Sequence, residues 1–483
     1  MVCAGKWSED VGTLETAAPE AVGLNTDKLN DLMTWLEEMK DENKLPMVSM
    51  LVAKKGKVVF YGGVGEAAPG KEIQPDSLYR IFSMTKPLTS LSLLMLMEEG
   101  KVQLDDPVHK YLGDMWRPEN KTIVDEEGGT PRPSTVTMTV KHLLNHTSGL
   151  CYGFFPSPVA KYYNEATASL EGTNPTTAEQ VESLATVPLL YEPGEKWSYS
   201  CSTDVVGRLV EVISGMSLGD FFKDRLFLPL GMMDTSFVVP NEKLDRLVNA
   251  KLLTPKGIID ITANEEEKGS YREGSRQESG GGGLVSSMQD YAKFCQFCMN
   301  QGELNGKRLI KKKTFALATT NSLPGNKLVP ELTVPYTAPL ASPGRAFGLG
   351  FAVQASEPSG DFEDGTSQVN KGVIAWGGAA GTKFICDPKE DMYALFYTQV
   401  IGLQFSALPR PNDFPNKLYQ ALQKDSFTTE PVSSRAPASA PSPAAPTPAP
   451  SGYVNAPLLG PPVQAKKRSL LDRISSVVTC LKA

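Results

Sequence analysis

The sequence predicts an α/β (α+β) fold, in which an antiparallel sheet is flanked by helices and a mainly helical domain is inserted between the two parts of the sheet. Two β-rich runs near the start, 47–53 and 57–62, are joined by a short turn, as in a hairpin. From about 105 to 285 the pattern is mainly helical with long loops. Strand-like runs return late, at 347–353, 373–376, 382–386 and 392–397. A sheet built from both ends of the chain, with helices between them, is the economical arrangement.

The predicted domain organisation follows from these patterns and from changes in composition. The units are a flexible N-terminus at 1–19, a sheet domain at 20–105 and 285–427, a helical domain at 106–284, a linker at 428–464, and a short basic amphipathic segment at 465–483. The linker is rich in proline, alanine and serine, which cannot bury enough surface to fold. The last segment could touch an anionic membrane surface or a partner, but a disordered tail without function is an equal alternative.

Individual helices are indicated by apolar periodicity and by capping residues. Thr26 is predicted to cap a helix with apolar residues at 29, 32, 33 and 36. The clearest helix of the inserted region is 204–213, and a closing helix is predicted at 416–422.

Composition excludes several classes of function. Of 483 residues, 41% are hydrophobic and 21% are charged, as in ordinary globular proteins. The net charge of -7 leaves no basic footprint for nucleic acid. We find no apolar run of about 18 residues that would indicate a transmembrane helix, and the start of the chain lacks the apolar core of a secretory signal. The seven cysteines are scattered and odd in number, which favours reduced thiols in a cytoplasmic protein.

No metal or cofactor is predicted. Cys295 and Cys298 form a single C-x-x-C motif, without a second pair or a nearby histidine to complete four zinc ligands. Both cysteines lie in an amphipathic helix pattern that would turn them toward the core.

The candidate nucleophile is Ser83, the first residue of an S-x-x-K motif that ends at Lys86. The motif leads into an apolar run, 88–97, which predicts a buried helix with Ser83 at its first turn. Residues three apart share a helix face, so the Lys86 amine is expected beside the Ser83 hydroxyl. A serine hydroxyl needs a base to take its proton, and burial disfavours the charged form of lysine, which makes Lys86 a usable base. Because S-x-x-K is common by chance, the motif needs support elsewhere in the chain.

A second serine motif, G-x-S-x-G around Ser217, has the signature of the α/β-hydrolase nucleophile elbow. The elbow needs a strand before it and a histidine after it. Here a helix precedes the motif, and the three histidines, His109, His142 and His146, all lie earlier in the chain. Ser217 is therefore predicted to cap the helix that starts near Leu218.

Two further elements complete a candidate site for Ser83. Tyr199 follows a tight turn and precedes a helix, so it could point into a cleft as a base if cationic neighbours favour its ionised form. The W-G-G sequence at 376–378 lies between two strands, where glycines permit close approach of another backbone or a ligand. The Ala379 amide, opposite the Ser83 amide, is the expected oxyanion hole. A core tyrosine and a plain β-turn are the alternative interpretations.

These motifs together resemble a known family. The set S-x-x-K, H-T-S-G at 146–149, Tyr199-Ser200 and W-G-G has the order found in the serine β-lactamase-like superfamily. The chain looks most like its class C-related members, the type VIII carboxylesterases and β-lactamase-related acyltransferases, over about 20–425. The resemblance implies a β-lactamase/transpeptidase-like fold, Ser83 as the nucleophile that accepts the acyl group, Lys86 and Tyr199 as the general base pair, and the Ser83 and Ala379 amides as the oxyanion hole.

Two departures from the family pattern bear on the substrate. Class C β-lactamases and penicillin-binding proteins carry K-T-G where this chain has Trp376, Gly377 and Gly378. Without that lysine no cation pairs with a substrate carboxylate at this position, which favours neutral esters. Cys201 also replaces the asparagine of Y-x-N, which removes an amide able to hold a β-lactam side chain.

We therefore expect a serine hydrolase that cleaves small-molecule carboxylic esters through an acyl-enzyme on Ser83, with little or no β-lactamase activity. Aromatic residues around Tyr152, together with Trp376, are expected either to line an apolar substrate pocket or simply to belong to the core. Two alternatives stay open. One is an acyltransferase that passes the acyl group to an alcohol, and the other is a catalytically silent structural or filament protein of the same fold.

Overall fold

An antiparallel sheet of eight strands, drawn from both ends of the chain, forms the structural centre of the protein. The computed structural model describes residues 4–42, 45–125, 129–170, 172–263, 270–357, 369–403 and 413–422. The strands are β1 (Met47–Lys54), β2 (Lys57–Ala68), β3 (Lys71–Glu72), β4 (Leu78–Arg80), β5 (Thr122–Ile123), β6 (Arg132–Pro133), β7 (Lys251–Thr254), β8 (Gly257–Asp260), β9 (Val285–Ser287), β10 (Glu303–Leu304), β11 (Lys307–Arg308), β12 (Arg345–Phe347), β13 (Ala352–Gln354), β14 (Ile374–Gly377), β15 (Lys383–Asp387), β16 (Met392–Tyr397) and β17 (Val400–Ile401). The α-helices are α1 (Thr26–Asp41), α2 (Thr85–Glu98), α3 (His109–Leu112), α4 (Val140–Leu144), α5 (Ala160–Ala168), α6 (Thr177–Ala185), α7 (Ser202–Ser214), α8 (Leu218–Phe222), α9 (Leu228–Leu230), α10 (Met288–Met299), α11 (Lys312–Ala318), α12 (Val329–Leu332) and α13 (Asp413–Leu422).

The strand order of the large sheet is β12-β13-β14-β15-β16-β1-β2-β3. Its two halves join where β1 pairs with β16, from Ser49 opposite Tyr397 to Lys54 opposite Met392. β1 and β2 form the predicted hairpin, with Gly56 at a positive φ in its turn. The antiparallel sheet made from both ends of the chain, which the sequence predicts, is thus present.

Both faces of the sheet are covered by apolar layers, because successive side chains of a strand point to opposite sides. On β1, Val48, Met50 and Val52 belong to a core cluster shared with α1 and α13. Met47 and Leu51 point the other way, into the larger core that includes α2 and α10. α2 is buried along nearly its whole length, as expected for a helix without a polar face.

The helices of the inserted region gather around α7. This helix packs against α2, α3, α4, α6 and α8, so the helical region and the sheet-facing helix α2 share one core. β17, which follows β16 in the chain, pairs in parallel with β7 in a separate three-stranded sheet and so connects the inserted region to the chain segment that leaves the large sheet. β4, before the inserted region, and β9, after it, pair with each other in a small antiparallel sheet. The exact domain boundaries near 105 and 285 stay a prediction.

The structure corrects three local expectations. The first nineteen residues were expected to be flexible, but residues 4–19 pack against β2. The Ala4 amide donates to Val59 O at 2.8 Å, and the apolar side chains of Trp7 and Val11 are buried in the core. The N-cap of α1 is Asn25, whose side chain accepts from two first-turn amides, and not Thr26.

The third correction concerns the late run 347–353. It forms the end of β12 and the start of β13 rather than one strand. The chain reverses between them at Gly350, which has φ 96. The predicted linker at 428–464 and basic segment at 465–483 lie outside the described residues.

Candidate active site

Ser83 lies in a short 3-10 turn, Phe82–Met84, that connects β4 to α2. The preceding Phe82 has φ 44, a left-handed conformation that costs an aromatic residue of the order of 1–3 kcal/mol. The surrounding core therefore holds this turn in place. Ser83 is 6% exposed and borders a cavity of about 490 Å³.

Lys86 lies on the first turn of α2 and is 1% exposed. Its Nζ is 3.4 Å from Ser83 Oγ, 2.9 Å from the Tyr152 hydroxyl and 2.7 Å from the Gly281 carbonyl oxygen. The i, i+3 spacing thus brings the amine to the serine, as the helix pattern predicts. The other two partners come from distant segments of the chain.

Tyr199 reaches the same site from the loop before α7. The Lys86 Nζ lies 4.7 Å from the centre of its ring. Trp376 packs against the ring at 5.2 Å, so the W-G-G segment meets the loop of Tyr199. The Tyr199 hydroxyl is buried and has no hydrogen-bond partner among the described residues. A buried hydroxyl without a partner is uncommon in folded proteins, and Tyr199 borders the cavity beside Ser83.

The W-G-G segment is pressed against the turn of Ser83. A Cβ on Gly378 would overlap the Ile81 carbonyl and the Thr382 hydroxyl, so only glycine fits this close approach. The Gly378 amide donates to Thr382 O at 2.7 Å, which fixes the turn that carries Ala379. Among the described residues, neither the Ala379 amide nor the Ser83 amide donates a hydrogen bond. Two free amides on adjoining segments are what an oxyanion hole requires.

Asp204, on the first turn of α7, is a member of the site that the sequence did not indicate. It is 1% exposed, and its Oδ1 accepts from Ser279 Oγ at 2.6 Å and from the Gly281 amide at 2.9 Å. Burial raises the pKa of this carboxyl, and the nearby Lys86 offsets part of the rise. Asp204 thereby holds the glycine whose carbonyl accepts from Lys86. In the sequence it resembles any acidic residue at a helix start.

The cavity beside Ser83 has mixed walls. Its lining includes Phe154, Phe155, Tyr199, Leu340, Arg345, Trp376, Gly377, Gly378, Ala379 and Lys383. Tyr152, expected among the substrate-binding residues, is not part of this lining and instead contacts Lys86. Lys383 pairs with Gly377 across β14 and β15, and its side chain lies over that glycine. A cation is therefore present next to the segment that lacks the K-T-G lysine.

The motif around Ser217 lies at the start of α8. Ser217 Oγ accepts from the Asp220 amide at 3.0 Å, so the residue caps α8, as predicted. Cys295 and Cys298 are both buried in α10. Within the described ranges, no group of three or more histidine, cysteine, aspartate or glutamate side chains is placed to hold a metal ion. Over the same residues, no helix has the length and apolar character needed to span a membrane.

Comparisons with known proteins agree with this architecture. Residues 32–408 match the family model described as Beta-lactamase. Lovastatin esterase from Penicillium rubens is 26% identical over 363 residues, which cover 73% of this chain and 86% of that protein. Monacolin J acid methylbutanoyltransferase from Aspergillus terreus is 26% identical over 340 residues, covering 68% of this chain and 78% of that protein.

Among solved structures, "EstCE1, a hydrolase with promiscuous acyltransferase activity" superposes with a TM-score of 0.64 at 21% identity, and covers 82% of this chain and 98% of that chain. The structural likeness supports the fold, and the family model spans most of the sequence. The chain belongs to the beta-lactamase family.

Proposed function

We propose that the protein is a serine hydrolase that cleaves carboxylic esters through an acyl-enzyme on Ser83. One observation carries this proposal: the Lys86 amine lies 3.4 Å from the Ser83 hydroxyl and over the ring of Tyr199, and Ser83 and Tyr199 line the same cavity. A nucleophile with a base in reach and free amides nearby is the arrangement used for acyl transfer.

The hydrogen bonds of Lys86 support its role as the base. When the amine is neutral, its two N–H groups go to the Gly281 carbonyl and the Tyr152 hydroxyl. Its lone pair then faces Ser83 Oγ at 3.4 Å and accepts the serine proton as the oxygen attacks the ester carbonyl. The amides of Ser83 and Ala379 stabilise the negative charge that develops on the carbonyl oxygen.

Tyr199 has the complementary role. Its hydroxyl donates a proton to the departing alkoxide, and the Lys86 ammonium, which lies beside its ring, returns a proton to the phenolic oxygen. In the second half of the cycle Tyr199 and Lys86 exchange their roles as proton donor and acceptor. Water or an alcohol loses its proton to them and attacks the carbonyl carbon of the acyl-enzyme, which releases the Ser83 oxygen. The enzyme then regains its initial protonation state.

The cavity favours an ester with a bulky apolar part. A volume of about 490 Å³ is in the range that holds a drug-sized molecule, and Phe154, Phe155 and Leu340 supply apolar walls. Arg345 and Lys383 also line the cavity, so its walls include polar as well as apolar side chains. We still expect β-lactams to be poor substrates, because Trp376 occupies the K-T-G lysine position and packs on Tyr199.

Acyl transfer to an alcohol is the second candidate. The chain is similar over 68% of its length to a methylbutanoyltransferase and over 73% to an esterase, so both outcomes occur among its relatives. The acceptor decides between them, since the acyl-enzyme is common to both reactions.

A fluorophosphonate probe and p-nitrophenyl esters test the proposal. We expect the wild type and a Ser217→Ala control to be labelled and to release p-nitrophenol, whereas Ser83→Ala does neither. Retained labelling of Ser83→Ala would contradict the assignment. Ester product that depends on an added alcohol, with little free acid, would identify a transferase. A wild type that neither reacts nor turns over, while Ser83→Ala keeps its role in the cell, would favour the structural-protein alternative.

A cytosolic location also belongs to the proposal. The five described cysteines, Cys151, Cys201, Cys295, Cys298 and Cys386, are all buried, and none of them forms a disulfide with another described residue. This pattern fits a reducing compartment. Subcellular fractionation of the tagged full chain tests it, and recovery outside the cytosolic fraction would contradict it.

A further inference from the structure

We propose that His146 is a positioning residue for Tyr199 and holds the loop 197–200 in the geometry that proton transfer requires. The inference rests on the proposed function of the Ser83 site. His146 belongs to the H-T-S-G motif, to which the mechanism assigns no step, and is 1% exposed.

His146 contacts the Tyr199 loop through its backbone, its ring and its ring nitrogen. Its carbonyl accepts from the Ser198 amide at 3.0 Å. Its ring lies 5.1 Å from the ring of Tyr199 and 6.3 Å from that of Trp197. Its Nδ1 is 3.1 Å from Ser200 Oγ. Four consecutive residues of the loop are thus in contact with this one histidine.

The backbone of His146 is itself held in an unusual conformation, with φ 59. Left-handed residues other than glycine are uncommon and persist where the surroundings determine them. The Tyr191 hydroxyl also donates to the His146 carbonyl, at 3.4 Å. The strained position is therefore fixed from two sides.

A chain of buried hydroxyls leads to the ring of His146. The Leu150 amide donates to Ser148 Oγ at 3.2 Å, Ser148 lies 2.7 Å from Ser202 Oγ, and Ser202 lies 2.7 Å from Ser200 Oγ. If each hydroxyl donates to the next, Ser200 donates to His146 Nδ1, which must then be an unprotonated acceptor. Burial, with a smaller contribution from Lys86, lowers the pKa of His146 well below its ordinary value, so the ring is neutral and one of its two nitrogens is an acceptor.

The contacts of His146 matter because, within the described part of the chain, the Tyr199 hydroxyl has no hydrogen bond to hold it in place. The Tyr199 hydroxyl makes no hydrogen bond of its own among the described residues, so contacts to its ring and to its neighbours determine where its oxygen lies. A displacement of about 1 Å at such a group is sufficient to lower a rate by roughly a hundredfold.

Ser200→Ala and His146→Asn test the proposal. Ser200→Ala removes the partner of Nδ1 without touching the ring, and His146→Asn keeps a residue that tolerates positive φ but removes the ring. We expect kcat to fall roughly ten- to a hundredfold in both, with KM within about twofold, because positioning for proton transfer is lost and substrate binding is not. Leu184→Ala, in the core of α6, is the stability-matched control and should lower Tm without this loss of kcat.

The decisive measurement is a double-mutant cycle with Tyr199→Phe. If Ser200 and His146 act through Tyr199, their substitutions have little further effect on the single-turnover rate once the hydroxyl is gone. An equal loss in both backgrounds, or an unchanged kcat in folded His146→Asn, overturns the inference. Fluorophosphonate labelling of the wild type is scored first. Failure of that labelling contradicts the hydrolase itself, whereas failure of the cycle in a labelled enzyme contradicts only the role of His146.

Discussion

The Lys86 Nζ lies 4.7 Å from the centre of the Tyr199 ring, but the hydrogen bonds of Lys86 go to Ser83, Tyr152 and Gly281 and not to the Tyr199 hydroxyl. In the resting protein the Lys86 amine therefore contacts the face of the Tyr199 ring and makes no hydrogen bond with its hydroxyl. A hydroxyl that is buried without a partner contributes nothing favourable to folding, and Tyr199 also borders the cavity of Ser83, which is why we propose a catalytic role for it.

Tyr199→Phe should separate stability from activity. Removal of an unpartnered buried hydroxyl should leave the free energy of unfolding unchanged or raise it by about 1 kcal/mol. Loss of its proton transfer should lower kcat for p-nitrophenyl esters by roughly 10²- to 10⁴-fold. Tyr163→Phe is the matched control, because its hydroxyl accepts from the Cys151 amide and donates to Pro188 O. It should lose stability and keep kcat. The reverse pattern in the two variants would contradict the role of Tyr199.

Gly378→Ala should disable the candidate oxyanion hole. The added methyl group would overlap the Ile81 carbonyl, so the segment must move away from Ser83 and take the Ala379 amide with it. We expect kcat to fall by roughly 10²- to 10³-fold, the usual cost of losing one oxyanion donor. Gly377→Ala is the milder comparison in the same segment, since its new Cβ would lie 3.1 Å from Thr382 O, a tight contact but not an overlap. Equal kcat values for the two variants would argue against the hole.

Much of this site was predictable because it depends on short-range geometry. The spacing of Ser83 and Lys86 on an apolar helix placed the amine beside the hydroxyl, and the alternating runs at both ends of the chain predicted the sheet. The contacts of Lys86 with Tyr152 and Gly281 were not predictable, since they join segments far apart in sequence. Neither was the burial of Asp204, because an acidic residue at a helix start is ordinarily exposed.

The errors have similar physical causes. The first residues looked loose because they lack periodicity, but Trp7 and Val11 gain buried apolar area against β2. The run 347–353 looked like one strand because it is apolar, while Gly350 permits a reversal within it. In both cases tertiary contact overrode a local pattern. The preference for neutral esters, inferred from the missing K-T-G lysine, stays a prediction, and Lys383 of the adjacent strand also lines the cavity.

His142→Gln should reduce the acid sensitivity of folding. Burial lowers the pKa of His142 from 6.5 to about 4, with Lys141 contributing, and its Nδ1 accepts from the Thr139 amide in the capping box of α4. Between these pH values the unfolded chain binds more protons, so stability falls as the pH falls, by at most about 1.4 kcal/mol per pH unit. Glutamine can complete the same capping box without titrating.

The measurement is urea unfolding of the wild type and His142→Gln at pH 7 and pH 5. We expect the variant to gain about 1–2 kcal/mol relative to the wild type on going to pH 5. The comparison cancels the contribution of His146, which titrates in the same direction in both proteins. A difference that is the same at both pH values would contradict the prediction.

Lys383→Met should reveal whether the charge in the cavity recognises substrate. Lys383 lines the cavity beside Gly377, so a carboxylate on the acyl group of an ester could pair with it. For p-nitrophenyl hemisuccinate we expect KM to rise roughly five- to tenfold in the variant, as for loss of a charge-assisted contact. For p-nitrophenyl butyrate, which carries no carboxylate, KM should change by less than about twofold, because the contacts of this ester with the rest of the cavity are unchanged. Lys389→Met, on the exposed turn after β15, is the control for net charge and should alter neither KM. Equal effects on both esters would show that Lys383 supports the wall of the cavity and does not select the substrate.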